Sequence, residues 1–347
     1  MYKNSVEIPP LTMQDDTLGI SECGTKSKKI NQFLNTRTGI MNLPFGQDKC
    51  ETMHIGKTHI SDICCDMSVD SWKEKLIVKT NGEKELCDIY VGKELMKQVN
   101  TKKYLGDIIS NDGRNKANIT DRTNKSIGNI NKIITSLNER PYGRHFFRAY
   151  KLMREGVLLG GMLTNSETWI NLTMENIDEL EKPDTILQRK VLSSSGNPSK
   201  VFMMLELGLI PVRYLIIQKR LQFLHYLLNQ SQTSMLRKVY EALKKDSRRG
   251  DFVYLTNKDK TLLNINMNDG EIETMSKLKW KVFIKKQTEA AAFNYLNEEN
   301  KSKEKTKDVH FDKLKTSSYL LRNKQKSVIN IIFRIRSETL QIKKFHP

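Results

Sequence analysis

The chain has 347 residues, of which 38% are hydrophobic, and its 58 Lys+Arg against 40 Asp+Glu leave a formal net charge of +18. That apolar share is low for one compact core and too high for wholesale disorder, and the length suggests two or three domains. Stretches such as Val157–Leu163 fall far short of the roughly 20 apolar residues that span a bilayer, the first residues lack an apolar leader, and no cysteine follows Cys87, so membrane-spanning, secreted and disulfide-stapled classes are excluded and an intracellular protein is expected.

The charge is uneven: −1 over residues 1–100, +10 over 101–300 and +9 over 301–347. Basic charge on this scale serves phosphate, from nucleic acid or an anionic surface, unless it is a Lys-rich surface that only aids solubility. A near-neutral segment with paired acids followed by a long basic one suits a metal-bearing chemistry domain followed by nucleic-acid grips.

Residues 1–110 carry mixed signals. Val6–Met13 and Thr17–Ser21 are short extended candidates on either side of Asp15-Asp16, with Pro9-Pro10 confining the first to an edge or strand start. A helix is predicted over Lys26–Gly39, then strands at Cys50–Ile55, at Leu76–Thr80 with Leu86–Val91 around Asn81-Gly82, and over Tyr104–Ser110. From about residue 114 the apolar period becomes helical, with Ile127, Ile130, Ile133, Ile134 and Leu137 on one face. Further helices are predicted over 144–163, over 173–192 with Thr173 as N-cap, over 212–228 and over 275–296. Ser193–Pro198 reads as a linker, 247–275 as irregular, Asn297–Lys307 as a flexible charged run, and Val328–Ile335 as an amphipathic element without a partner.

The sharpest chemical feature is Leu11–Ile20, where Asp15 and Asp16 sit at a tight turn between extended segments. Adjacent carboxylates at such a tip suit Mg²⁺, whose coordination is completed by water and substrate phosphates. By itself an Asp-Asp pair is more often a surface turn. Three further segments follow in order: a helix candidate, Gly46–Met53 containing Lys49, and Lys103–Ser110 containing Tyr104-Leu-Gly106.

This order resembles the reverse transcriptases of non-LTR retrotransposons over most of the chain. Met13–Asp16 is similar to that family's aromatic-x-Asp-Asp palm turn, with Met13 in the aromatic place. The resemblance implies Asp15 and Asp16 as metal ligands, Lys49 as the acid acting on leaving pyrophosphate, and Tyr104, Leu105 and Gly106 as the primer grip. Leu205–Pro211 and Arg220–Asn229 also resemble the region beyond the thumb. The implied fold is α+β: a partial polymerase palm of β-hairpins plus helix over 1–110, a helical thumb over 111–192, a helical connector over 199–296 and a basic C-terminal segment over 297–347. The implied partners are an RNA template and DNA primer or RNA–DNA hybrid, with dNTP only if the palm is completed, and no membrane; the implied cofactor is Mg²⁺. The family's fingers and first palm motif, with its further Asp, would precede residue 1, so the chain is expected to be inactive in isolation. A non-catalytic nucleic-acid-binding module is the alternative.

Other residues are weighed against plainer roles. Arg140, Arg144 and Arg148, with Lys102 and Lys103, are assigned to phosphate contact, while Phe146 and Phe147 are assigned to the core beneath the arginines. Cys50, His54, His59 and Cys64 match no common zinc spacing. Lys244–Arg249 and Lys301–Lys307 read as solvated loops, with nuclear localisation signals as the alternative. Trp72, Trp169, Trp280 and His225 are expected to pack.

Overall fold

The computed structural model describes residues 11–13, 16–18, 20, 32, 50–53, 90–91, 94–193, 197–322 and 325–337. The chain divides into two compact units, one drawn from residues 5–117 and the other from 118–347. Helices dominate and the strands are few and short, an α+β composition.

In the first unit the strands form two-stranded pairs. β1 (Leu11–Met13) runs antiparallel to β2 (Asp16–Leu18), with Met13 opposite Asp16. Asp16 is therefore a paired strand residue. β3 (Glu51–Thr52) pairs in parallel with β6 (Lys97–Gln98), and β4 (Tyr90–Val91) is antiparallel to β5 (Glu94–Leu95). β7 (Thr101–Tyr104) and β8 (Asp107–Ser110) form the longest hairpin, in register from Thr101 opposite Ser110 to Tyr104 opposite Asp107. Of the expected helix over Lys26–Gly39 only Gln32 is described, as helical, and of the strand pair around Asn81-Gly82 only Tyr90-Val91; Trp72 lies outside the described residues.

The second unit is built on helices. α1 (Lys116–Asn138) shows most of the predicted apolar face, with Ile130, Ile133 and Leu137 buried and Ile134 half-buried, but Ile127 is exposed. α2 (Arg144–Met153) continues through a π-turn over Arg154–Leu159 and a last α-turn over Gly160–Met162. α3 (Met174–Val191) starts at Thr173, whose hydroxyl accepts from the Asn176 backbone N–H while the Asn176 side chain accepts from the Thr173 N–H. That reciprocal pair satisfies two donors that a helix start leaves without partners.

α4 (Lys200–Leu207) and α5 (Val212–Leu228) follow, bent 60° to each other. α6 (Met235–Lys245), α7 (Phe252–Leu262) and α8 (Asp269–Thr274) lead to the long α9 (Lys277–Lys301), and α10 (Lys326–Arg336) closes the unit. Three clusters form its interior. The first joins α1, α2, α3, α4 and α10 through Ile133, Phe147, Leu187, Phe202 and Phe333. The second joins α5 to α9 through Leu221, Leu224, Tyr240, Ile272 and Trp280, and the third gathers Ile119, Met162, Trp169, Leu180 and Ile216. Each fully buried side chain of this kind contributes about 1.5–3 kcal/mol of transfer free energy.

Three expectations are corrected here. Residues 247–275 are not irregular: α7 begins at an Asp251 cap and α8 at an Asn268–Glu271 capping box. Polar caps, not apolar periodicity, start these short helices, so a period search passes over them. Asn297–Lys307 is not a free run either. Its first residues complete α9, and Asn300 and Thr306 are buried and hydrogen-bonded to each other at 2.7 and 2.8 Å. Finally, the Val328–Ile335 element has a partner. Ile329 and Phe333 enter the first cluster, and Arg336 reaches the buried Glu206 of α4 at 2.7 Å.

Among the described residues no single helix is long and apolar enough to cross a membrane. The bent α4–α5 pair is the most apolar stretch, and its side chains mostly line the core.

Candidate nucleic-acid interface

Two surfaces carry the basic residues singled out in the sequence, one on each unit. On the first, the β7–β8 hairpin turns on Leu105 and Gly106, at φ of 48° and 88°. Two successive left-handed residues match the right-handed twist of antiparallel strands, and glycine, asparagine or aspartate usually fill both places. Leucine in the first place holds its backbone at a cost, with its side chain 48% exposed. Strain of this kind persists where surrounding structure enforces it and clusters at functional positions.

Lys102, Lys103 and Tyr104 lead into that turn on β7. Lys103 is exposed, whereas Lys102 is partly neutralised by Glu51 at 2.6 Å. Just after β8 comes Asp112-Gly113, where Gly113 also takes positive φ and the Asp112 carboxylate accepts the Arg114 N–H at 2.9 Å. That hydrogen bond holds the Asp112 carboxyl below the usual carboxylate range and leads the chain into α1.

On the second unit, Arg140, Arg144 and Arg148 follow one another at intervals of four and are all exposed. Arg144 and Arg148 both lie on α2, where a spacing of four keeps side chains on one helix face, whereas Arg140 precedes that helix. Beneath them Phe146 and Phe147 are buried at 3% and 1% exposure, as expected of core residues. Tyr142 packs between, with ring centroids 4.5 Å from Phe146 and 5.3 Å from Phe147, and its hydroxyl donates to the Val191 carbonyl at 2.9 Å. Burial pushes the Tyr142 hydroxyl well above its ordinary value, so it stays a neutral donor.

Among the described residues, no salt bridge engages any of the three arginines. A row of cations without acidic partners keeps its charge available for phosphate. The tertiary fold adds Lys326, whose ammonium lies 5.7 Å from the centre of the Tyr142 ring although it is far away in sequence. Lys151, on the same helix, is not part of the exposed row. It donates to the Gly208 carbonyl at 3.1 Å, and burial lowers its proton affinity.

The acidic pair belongs to a different category. Asp15 and Lys49 lie outside the described residues, and of Asp16 only the strand backbone is described. No group of three His, Cys, Asp or Glu side chains that could hold a metal occurs among the described residues. Cys50 is half-buried, while His54, His59 and Cys64 lie outside the described residues. Trp169, Trp280 and His225 are packing residues: the Trp280 indole donates to the Leu221 carbonyl at 2.9 Å, and His225 meets the Met275 carbonyl at 2.8 Å.

No known protein family, curated protein or solved structure matches the chain.

Proposed function

We propose that the chain is the palm-to-thumb part of an RNA-directed DNA polymerase of the non-LTR retrotransposon kind, with the partial palm in the first unit and the thumb at the start of the second. The observation that carries this reading is the Tyr104-Leu-Gly106 hairpin. Its tip holds a leucine in a left-handed conformation, which a solvated turn selected for stability alone would replace with asparagine or glycine. A primer-placing tip gives that leucine a reason to persist. Lys103 beside it, and the arginine row on the second unit, would neutralise phosphates of template RNA and primer DNA.

In this reading Asp15 and Asp16 hold Mg²⁺, which would stabilise the attacking and leaving oxygens of dNTP addition, and Lys49 supplies a proton to the pyrophosphate. Mg²⁺ demands near-ideal octahedral geometry. The sequence offers two adjacent carboxylates for it, where the resemblance calls for a further Asp. The isolated chain should therefore bind template–primer but extend it negligibly. A second reading, a non-catalytic nucleic-acid-binding module, draws support from the exposed arginines alone.

Primer extension on an RNA template with Mg²⁺ or Mn²⁺, run beside hybrid binding over a salt series, tests both. Hybrid binding that weakens with salt and loses about 0.9 in slope per phosphate contact removed in an Arg140→Ala, Arg144→Ala, Arg148→Ala variant supports the shared part of the two readings. Extension that is robust and vanishes in Asp15→Ala would favour a complete active site over an incomplete one. Absence of hybrid binding at low salt would sink both.

A further inference from the structure

α9 presents a second basic surface that neither the polymerase reading nor the motif search uses. Its inner face is fixed, with Trp280, Ile284 and Thr288 essentially buried. On the outer face Leu278 is 72% and Val282 61% exposed. With 3.6 residues per turn, these two form a short ridge. Lys281 and Lys285 run along one side of it, and Lys279 and Lys286 along the other. All four lysines are exposed, and among the described residues the only carboxylate within salt-bridge reach of them is Glu289, 3.9 Å from Lys285. Residues 277–288 contain no acidic side chain.

An apolar ridge between two rows of cations is complementary to a groove with a phosphate chain on each wall. We infer that this face of α9 docks in the major groove of B-form duplex DNA. The width decides which duplex. A helix with its side chains is about 10–12 Å across, and the B-form major groove is about 12 Å wide. The A-form major groove of RNA and hybrid helices is deep and too narrow for side chains to read. The lysine rows reach phosphates on opposite walls, and Leu278 and Val282 meet the methyl-bearing floor, where thymine offers the apolar contact. Few polar groups point at base edges, so the contact holds duplex DNA with weak sequence preference. The partner is a DNA duplex distinct from template–primer hybrid, and the inference stands whether or not the chain polymerises.

The test measures binding of the full-length chain to a mixed-sequence DNA duplex of about two helical turns, to an RNA duplex of the same sequence, to RNA–DNA hybrid and to anionic phospholipid vesicles. Two variants are compared with the unsubstituted chain: Lys279→Ala, Lys281→Ala, Lys285→Ala, Lys286→Ala together, and Leu278→Gln with Val282→Gln. The first should lose DNA affinity by roughly 100-fold at low salt, with a salt slope shallower by about 3.6. The second should weaken DNA binding with the slope unchanged, and neither should alter RNA-duplex or hybrid binding. Photo-crosslinking of the unsubstituted chain to the DNA duplex should map to residues 277–286, a readout independent of whether a variant folds. Unchanged DNA binding, equal losses on RNA and DNA, crosslinks elsewhere, or a lysine-dependent preference for vesicles over DNA would overturn the inference. Loss of hybrid binding in the Arg140, Arg144, Arg148 variant reports on the polymerase reading and leaves this one untouched.

Discussion

Gly208 ends α4 at φ 62°, and a side chain there would run into the backbone of Lys315 and Thr316, with a Cβ only 2.7 Å from the Lys315 Cα. The C-terminal strand of chain crosses at this point because it is bonded on both sides: Thr316 donates its hydroxyl to the Leu207 carbonyl at 3.0 Å, and the Ser317 N–H donates to the Glu206 carbonyl at 2.8 Å. Gly208→Ala should therefore cost more than the ~1–2 kcal/mol of a left-handed alanine, since backbone must also move. Urea unfolding checks it, and a change below about 0.5 kcal/mol would show that the crossing is loose. Leu105 invites the opposite substitution. Leu105→Asn should relieve the left-handed strain and stabilise the first unit by about 1 kcal/mol. If the leucine tip places primer, affinity for hybrid falls at the same time. Stabilisation with unchanged hybrid binding would remove the reason offered for that leucine.

At the scale of elements, α2 and α3 are tied by a buried ion pair. Arg154, at the start of the π-turn, donates to both Asp184 oxygens at 2.8 and 2.6 Å and to the Ile210 carbonyl at 3.0 Å. Burial opposes the guanidinium charge, but the Asp184 carboxylate outweighs it and raises the Arg154 proton affinity. Asp184→Ala leaves a 2%-exposed cation without its partner, and a loss of about 3–5 kcal/mol is expected in denaturant unfolding. The pair is well made for register: a helix rotated by one residue would bury one charge without the other. Pro183 beside Asp184 is tolerated inside α3, and it too is buried.

Across the whole molecule, the four tyrosines Tyr142, Tyr150, Tyr240 and Tyr319 share one electrostatic property. Burial is the main cause that raises each hydroxyl above its ordinary value, assisted at Tyr150 by Asp184, at Tyr240 by Asp269 and at Tyr319 by Glu206. Their folded values lie above the unfolded one, so their contribution is fully present below about pH 10 and is lost as pH rises beyond it. Alkaline titration should show tyrosinate absorbance appearing together with loss of helical circular dichroism. Early titration of these tyrosines in a chain that keeps its helices would contradict the burial described here. Because they sit in and just before α2, in α6 and in the segment before α10, the transition should involve the second unit throughout.

The sequence by itself determined the helices whose faces are amphipathic or whose ends are capped. α1, α3 and α5 fall where periodicity and Thr173 put them, because a 3.6-residue apolar repeat can be buried in only one way. It also separated Phe146 and Phe147 from the arginines above them, since aromatic and guanidinium groups partition differently between core and water. Of the candidate site, the arginines could be read in the residues, whereas the turn at Leu105-Gly106 splits what reads as a single strand over Tyr104–Ser110, and Lys326 could not be placed because its position beside Tyr142 depends on how the chain returns. The same return decided the fate of the C-terminal segment. Arg336 and Glu206 are 130 residues apart, and no local pattern in either signals the other. The charge of +18 is a property of the sequence alone; tertiary packing decided which cations face outward without acidic neighbours. Burial of Trp280 and Ile284 fixes the rotation of α9, and that rotation turns a lysine-rich stretch into two rows around an apolar ridge.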